Sequence, residues 1–262
     1  MYHAIDPTSN RLDIVDPGEK IYAIDEREFR RQMKHLSEEG YHTICAEDFM
    51  SWRSGIGEIP DKCILITFDD GHATNISKGL PILQEYNFRA DFFITTGFVG
   101  KSNFLTRENI LTLRRAGMGI GSHTVTHAML NDLDIDSIRV ELADSKEYLE
   151  NLLGENVVTL SVPGGRISKI VRKIAKEVGY EAIFTSHTGM NDREANLFSV
   201  KRITVRQGTK LTNRLLSSGY VGGKDYILQG ALDLAKIGFG NKLYDQLRKS
   251  ILCLSRNRLR RL

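Results

Sequence analysis

Apolar and polar residues alternate along this chain in two rhythms that succeed one another. Over 26–39, Phe29, Met33 and Leu36 fall at helical spacing, Asp25 can cap the run, Glu28 closes a capping box and Gly40 ends it, so a packing helix is expected there. Residues 1–5 read as a short strand stopped by Asp6-Pro7, where a polar loop opens to Lys20. An apolar run at 42–45 and a weak helix near 47–54 lead to the continuous run Cys63-Ile64-Leu65-Ile66-Thr67-Phe68, expected as one strand buried on both faces. Helices are then expected at 77–86, 107–116, 136–153 and 168–178, between strands at 90–95, 119–122, 157–162, 181–185 and 198–205. Strand and helix in alternation favour a parallel sheet, open or closed into a barrel. Beyond Gly223 the rhythm changes to two amphipathic stretches, 225–236 and 241–256, so residues 1–222 are expected as one domain and 223–262 as a helical appendage.

Composition narrows the classes. The 262 residues are 41% hydrophobic, ample for a core, and the 26% charged residues nearly balance at net +3, without the basic excess of a nucleic-acid binder. The charge is uneven: 241–262 carries seven Lys/Arg against Asp245 alone, leaving a mildly acidic body and a basic tail. Cys45, Cys63 and Cys253 are far apart and read as reduced thiols rather than a disulfide framework or a thiolate zinc site. The N-terminus shows no basic leader or apolar core of a signal peptide, and no apolar stretch approaches ~20 residues, so a cytoplasmic location is expected.

Chemistry gathers at predicted strand ends. Asp69-Asp70-Gly71 follows the run at 63–68, and adjacent carboxylates there read either as turn chemistry or as a cation ligand beside a free base. His123 and His127, four apart, would meet on one face of a helical turn, either as ordinary helix-start histidines or as two imidazoles for a metal. Two histidines and one carboxylate make a three-ligand site with room for water. After the strand at 157–162 comes Ser161-Val162-Pro163-Gly164-Gly165-Arg166, a plain turn or a backbone that lets a ligand approach, with Gly164 N–H as an oxyanion donor.

Taken in order, Thr67-Phe68-Asp69-Asp70-Gly71, His123-x-x-x-His127 and the Pro-x-Gly loop resemble the NodB-type polysaccharide deacetylases, carbohydrate esterase family four. The resemblance spans most of 1–205, including Tyr2-His3, Leu80-Pro81 and Lys201-Arg202-Ile203. It implies a distorted (β/α) barrel with Asp69 as base, Asp70, His123 and His127 as ligands of a divalent metal, most commonly zinc, and Gly164 as oxyanion donor. Two positions depart from the family pattern. Ser161 stands where an arginine usually holds the base, with Arg202 or Arg166 as substitutes, and no histidine follows His187, where the family's general acid usually stands; members that begin with a Tyr-His strand can place an equivalent histidine at the front of the chain, so the resemblance implies His3 as the first candidate for general acid, with His187 second.

The implied activity is metal-dependent removal of the N-acetyl group from a sugar in a polysaccharide, oligosaccharide or lipid-linked glycan. Two other classes use the same residues: a catalytically weak carbohydrate-binding relative, and a non-haem iron oxygenase, whose chemistry needs no second carboxylate. No nucleic-acid partner is expected. The basic tail, with Leu243, Leu247, Ile251 and Leu254 on one stripe, suits either a helix packed on the barrel or a peripheral contact with anionic membrane.

Overall fold

The computed structural model describes residues 1–5, 21–212 and 215–216. The expected loop at 6–20, the helices at 225–236 and 241–256 and the boundary at 222/223 lie outside the described residues. Among the described residues no helix is long and apolar enough to cross a membrane.

Two parallel sheets carry the fold. β1 (His42–Ile44) pairs with β2 (Cys63–Leu65), while β3 (Thr67–Phe68), β4 (Asp91–Ile94), β5 (Gly119–Ser122), β6 (Thr159–Ser161) and β7 (Ala182–Phe184) lie side by side in sequence order. Helices connect them: α1 (Glu26–Glu38), α2 (Ala46–Arg53), α3 (Leu80–Glu85), α4 (Arg107–Arg115), α5 (Ile135–Leu153) and α6 (Lys169–Val178). Single bridges extend the five strands at both edges. Tyr2 bridges Phe68, and Val200 bridges Phe184. Val205 N–H then donates to the Met1 carbonyl at 2.9 Å, so residues 200–205 and 1–5 meet and the curled sheet closes on itself as a distorted (β/α) barrel.

Packing follows the expected periodicity. Asp25 caps α1 by accepting from Arg27 N–H, and Phe29, Met33 and Leu36 are fully buried beneath it. Their neighbours form an aromatic stack in which Phe68 lies parallel to Phe92 at 4.8 Å and edge-on to Phe29 at 5.7 Å. Burying one such ring removes enough apolar surface to contribute roughly 1.5–3 kcal/mol.

Four expectations are corrected. The apolar run 63–68 is two strands, because the chain changes partner at Ile66: Cys63–Leu65 bonds to β1, whereas the Ile66 carbonyl accepts from Asp91 and Thr67–Phe68 joins β4. Nor is β2 buried on both faces; it is half-buried and lines an apolar cavity of about 430 Å³ with Trp52, Val200 and Ile203. The helix expected at 77–86 begins with a wide π turn, Asn75–Gly79, in which Leu80 N–H reaches Asn75 O; Pro81 lacks the N–H that would continue the ordinary ladder to Ser77. The strand expected at 198–205 is a short 3-10 turn, Leu197–Ser199, followed by extended chain, since Val200 alone bridges β7 before Arg202 N–H turns to His187 O.

Candidate active site

β3 delivers the two carboxylates, and its local geometry explains how neighbouring residues share one cleft. Asp69 N–H donates to the Tyr2 carbonyl at 3.0 Å, which keeps Asp69 in the extended frame of the barrel wall. Asp70 leaves that frame with φ 76°, a left-handed conformation uncommon for a residue with a side chain, and this swings the second carboxylate to the same mouth. Both are buried, at 3% and 6% exposure. An isolated buried carboxylate is costly, so each must have a counter-charge.

The histidines come from the loop after β5, and not from a helical turn. Residues 123–127 contain no helix, and Thr124 and His127 adopt φ 67° and 63°. The loop is strapped down instead. His123 N–H donates to Ile94 O, Thr96 N–H to Thr124 O and Gly97 N–H to Val125 O, at 2.8–3.0 Å. From the other side the Glu141 carboxylate on α5 accepts from Val125 N–H, Thr126 N–H and the Thr126 hydroxyl at 2.5–2.9 Å. His123 Nδ1 lies 2.7 Å from the Ser161 carbonyl, so that nitrogen donates and Nε2 is left to point into the cleft.

There the ligand atoms converge. Nε2 of His123 and Nε2 of His127 each lie 3.3 Å from Asp70 Oδ1, and one donor atom from each residue falls within a 4.8 Å cluster. Asp70 Oδ1 is itself buried without a hydrogen-bond partner. Burial pushes the Asp70 carboxyl up, but the facing imidazoles of His123, His127 and His72 outweigh it and hold it well below the usual range. A buried, ionised oxygen between two neutral-capable imidazoles fits a divalent cation, and the N,N,O donor set suits zinc with a position left for water.

Asp69 faces a different partner. Arg202 donates from both terminal nitrogens, Nη1 to Oδ1 at 2.8 Å and Nη2 to Oδ2 at 2.9 Å, and the Ser161 hydroxyl donates to Oδ2 at 2.9 Å. Arg202 is fixed in turn by donation to Thr185 O and Thr67 Oγ1 and by the faces of Phe93 and Phe184 beneath its guanidinium. Burial raises the Asp69 pKa, and the Arg202 charge with its fork of hydrogen bonds outweighs this, bringing it down to about 2. The carboxylate is therefore ionised throughout the neutral range.

Of the two arginines open at the sequence level, Arg202 spans both Asp69 oxygens. Ser161, which stands in place of an arginine, joins that cluster as a donor. His3 sits beside the carboxylates on the Tyr2 segment: burial lowers its pKa to about 4, while the charges of Asp70 and Asp69 act on it in the opposite sense. Its ring packs against Tyr22 at 4.7 Å, its Nδ1 is buried without a hydrogen-bond partner, and its carbonyl accepts from Asn75 Nδ2 at 2.7 Å. Gly164 is exposed at the mouth of β6 with φ 64°. His187 lies past β7, where its carbonyl accepts from Arg202 N–H. Sequence reasoning assigned no role to Glu141, Asn75 or His72; the first two act through backbone groups and carry no motif. The 430 Å³ cavity is not the metal position: Arg202 reaches its wall, but Asp70, His123 and His127 do not line it.

Residues 57–183 match the family model described as polysaccharide deacetylase. YxkH of Bacillus subtilis strain 168, assigned as a polysaccharide deacetylase, is 30% identical over 208 residues, which are 79% of this chain and 71% of that protein. The peptidoglycan-N-acetylglucosamine deacetylase of Bacillus cereus ATCC 14579 is 31% identical over 132 residues, 49% of this chain and 60% of the relative, so this chain spans less than two thirds of its length. Among solved structures, the Streptococcus pyogenes deacetylase PplD in complex with acetate superposes with a TM-score of 0.70 at 27% identity, over 87% of this chain and 95% of that one.

Proposed function

This chain belongs to the polysaccharide deacetylase family, and we propose from that premise that it hydrolyses the N-acetyl group of an N-acetylated sugar within a glycan, releasing acetate and a free amine. The observation that carries the reading is the division of labour between adjacent carboxylates: Asp70 faces two imidazoles, and Asp69 faces Arg202 and Ser161. Asp70, His123 and His127 would hold a zinc ion. When bound, zinc supplies a Lewis acid that polarises the amide carbonyl and acidifies water.

The remaining work falls to the chain. Asp69, fixed by the Arg202 fork, accepts the proton of the water that attacks the acetyl carbon. Gly164 N–H faces the oxyanion that forms when the carbonyl π pair moves to oxygen. As that pair returns, the carbon–nitrogen bond breaks and the nitrogen must take a proton, because an amide anion is a very poor leaving group. His3 delivers it. The proton that Asp69 took from the attacking water passes by way of His3 to the nitrogen, Asp69 returns to its carboxylate form, and the second water proton leaves with the acetic acid, so the cycle balances.

The peptidoglycan relative supports a bacterial cell-wall glycan or a related N-acetylglucosamine polymer as substrate. The basic stretch 241–262 would add a peripheral contact with anionic membrane, tested by liposome binding after its removal. The central test is acetate release from peptidoglycan, chitin oligomers and poly-N-acetylglucosamine, with and without chelator and added zinc. Chelation should abolish release and zinc restore it. Asp69→Asn should reduce turnover at least about 10²-fold while metal content is retained. Wild-type acetate release by Asp69→Asn would overturn the assignment, and iron-dependent oxygen uptake would replace hydrolysis by oxygenase chemistry.

A further inference from the structure

Asp70 gives its two oxygens to different neighbours. Oδ1 faces His123 and His127, whereas Oδ2 lies 3.5 Å from Nε2 of His72, a buried imidazole two residues further along. His72 does not join the cluster in which the donor atoms of Asp70, His123 and His127 lie within 4.8 Å of one another, so it stands behind the carboxylate rather than around the same centre. Its ring stacks on Phe104 at 5.0 Å and 21°, and its backbone is fixed beneath that stack: residues 72 and 104 form an antiparallel bridge, and the His72 carbonyl accepts from Asn75 N–H at 2.9 Å. The other ring nitrogen, Nδ1, is buried without a hydrogen-bond partner. A proton on Nδ1 would be stranded, while a proton on Nε2 has a carboxylate in front of it, which fixes the tautomer.

We propose that His72 is a positioning residue that holds Asp70 through Oδ2 and so presents Oδ1 to the metal. The inference rests on the metal reading above. A carboxylate on a left-handed backbone can turn about its terminal bond and exchange its oxygens; a donor fixed by stacking on one oxygen removes that freedom and blocks the alternative in which both oxygens compete for the ion. Supporting groups of this kind typically change metal affinity by roughly 10–100-fold when removed.

The test uses the full chain, stripped with chelator, with zinc affinity read by competition against a chromophoric chelator. His72→Phe keeps a ring to stack on Phe104 and removes the donor; His72→Gln restores an N–H without the ring. His72→Phe should bind zinc about 10–100-fold more weakly, with the metal-free Tm within a few degrees of wild type, and His72→Gln should recover most of the loss. His72→Ala serves if the Phe variant does not fold, with the same weakening expected. Cobalt-loaded wild type and His72→Gln should share one visible spectrum. The proposal is overturned if His72→Phe binds zinc within twofold of wild type, if His72→Gln is no better than His72→Phe, or if the cobalt spectrum changes as for a lost ligand. Asp70→Ala separates the two readings: if it loses metal and His72→Phe does not, only the role of His72 fails, whereas a wild-type protein that binds neither zinc nor cobalt sinks both.

Discussion

Replacing Arg202 by Met is the most direct probe of how the base is held. Methionine keeps contact with the faces of Phe93 and Phe184 but removes both charged donors from Asp69, leaving it the Ser161 hydroxyl. In the metal-free wild type the Asp69 pKa of about 2, against an ordinary 3.8, amounts to roughly 2 kcal/mol of folding stability. The folded pKa is depressed, so that contribution is present above about pH 4 and is lost as the pH falls through 2. In Arg202→Met burial, the largest influence on Asp69, loses its main opponent and carries the folded pKa upward, with the Ser161 hydroxyl and the nearby imidazoles of His123 and His3 left to oppose it. The variant's penalty is then absent below about pH 4 and grows as the pH rises. The gap between the proteins should reach about 3–5 kcal/mol at pH 7, the cost of an uncompensated buried charge, and narrow by pH 4. Urea unfolding of chelator-treated wild type, Arg202→Met, Asp69→Asn and the double variant at both pH values gives the coupling. We expect at least about 2 kcal/mol at pH 7. A coupling below about 0.5 kcal/mol, or a gap that does not depend on pH, would refute the account of Asp69 as a carboxylate kept ionised by Arg202.

Two further outcomes follow from named contacts. Gly97→Ala would place a Cβ 2.5 Å from the Val125 carbonyl that Gly97 N–H now bonds, pushing the loop that bears both histidines; zinc affinity should fall about tenfold with about 1–3 kcal/mol of stability, and unchanged affinity in chelator competition would show that the strap does not set the ligands. Asp91 is buried at the foot of β4, where burial raises its pKa to about 7 despite donation from Ala46 N–H, with Glu47, Asp48 and Arg89 the nearby charges. A raised folded pKa means its contribution is complete below about pH 4 and is lost as the pH climbs to 7, so Asp91→Asn should flatten that part of the stability–pH curve measured by thermal melts; an identical curve would exclude Asp91 as its source.

How much of this was legible depended on how far each contact reaches along the chain. Asp69-Asp70-Gly71 and His123-x-x-x-His127 stood out because each motif is local and its residue types are expensive to bury unless they meet something. The geometry joining His123 to His127 was not legible: their spacing suits a helix, yet Glu141 and the 95–97 strap impose a left-handed loop, and neither support adjoins the motif. The run 63–68 reported hydrophobicity correctly but not hydrogen-bond partners, so the change of sheet at Ile66 was hidden. Arg202 was the arginine chosen and Arg166 stayed open beside it, because sequence order says nothing about which one a closing barrel brings to Asp69. The segment 198–205 has strand composition but forms a single bridge, since its later groups turn to His187 and Met1.

The clamp on Asp69 spans 133 residues, whereas the three side chains that face one another across the metal position are complete by His127. Made from the N-terminus at ~5–20 residues per second, the polypeptide would contain every metal-facing group roughly 4–15 s before Arg202 is added. The side chains that would hold the ion and the arginine that seats the base are thus supplied at separate times in the life of the chain. A product interrupted between residues 161 and 202 would carry the three metal-facing side chains with the Glu141 and Ser161 groups that orient their loop, and would lack the arginine that seats the base.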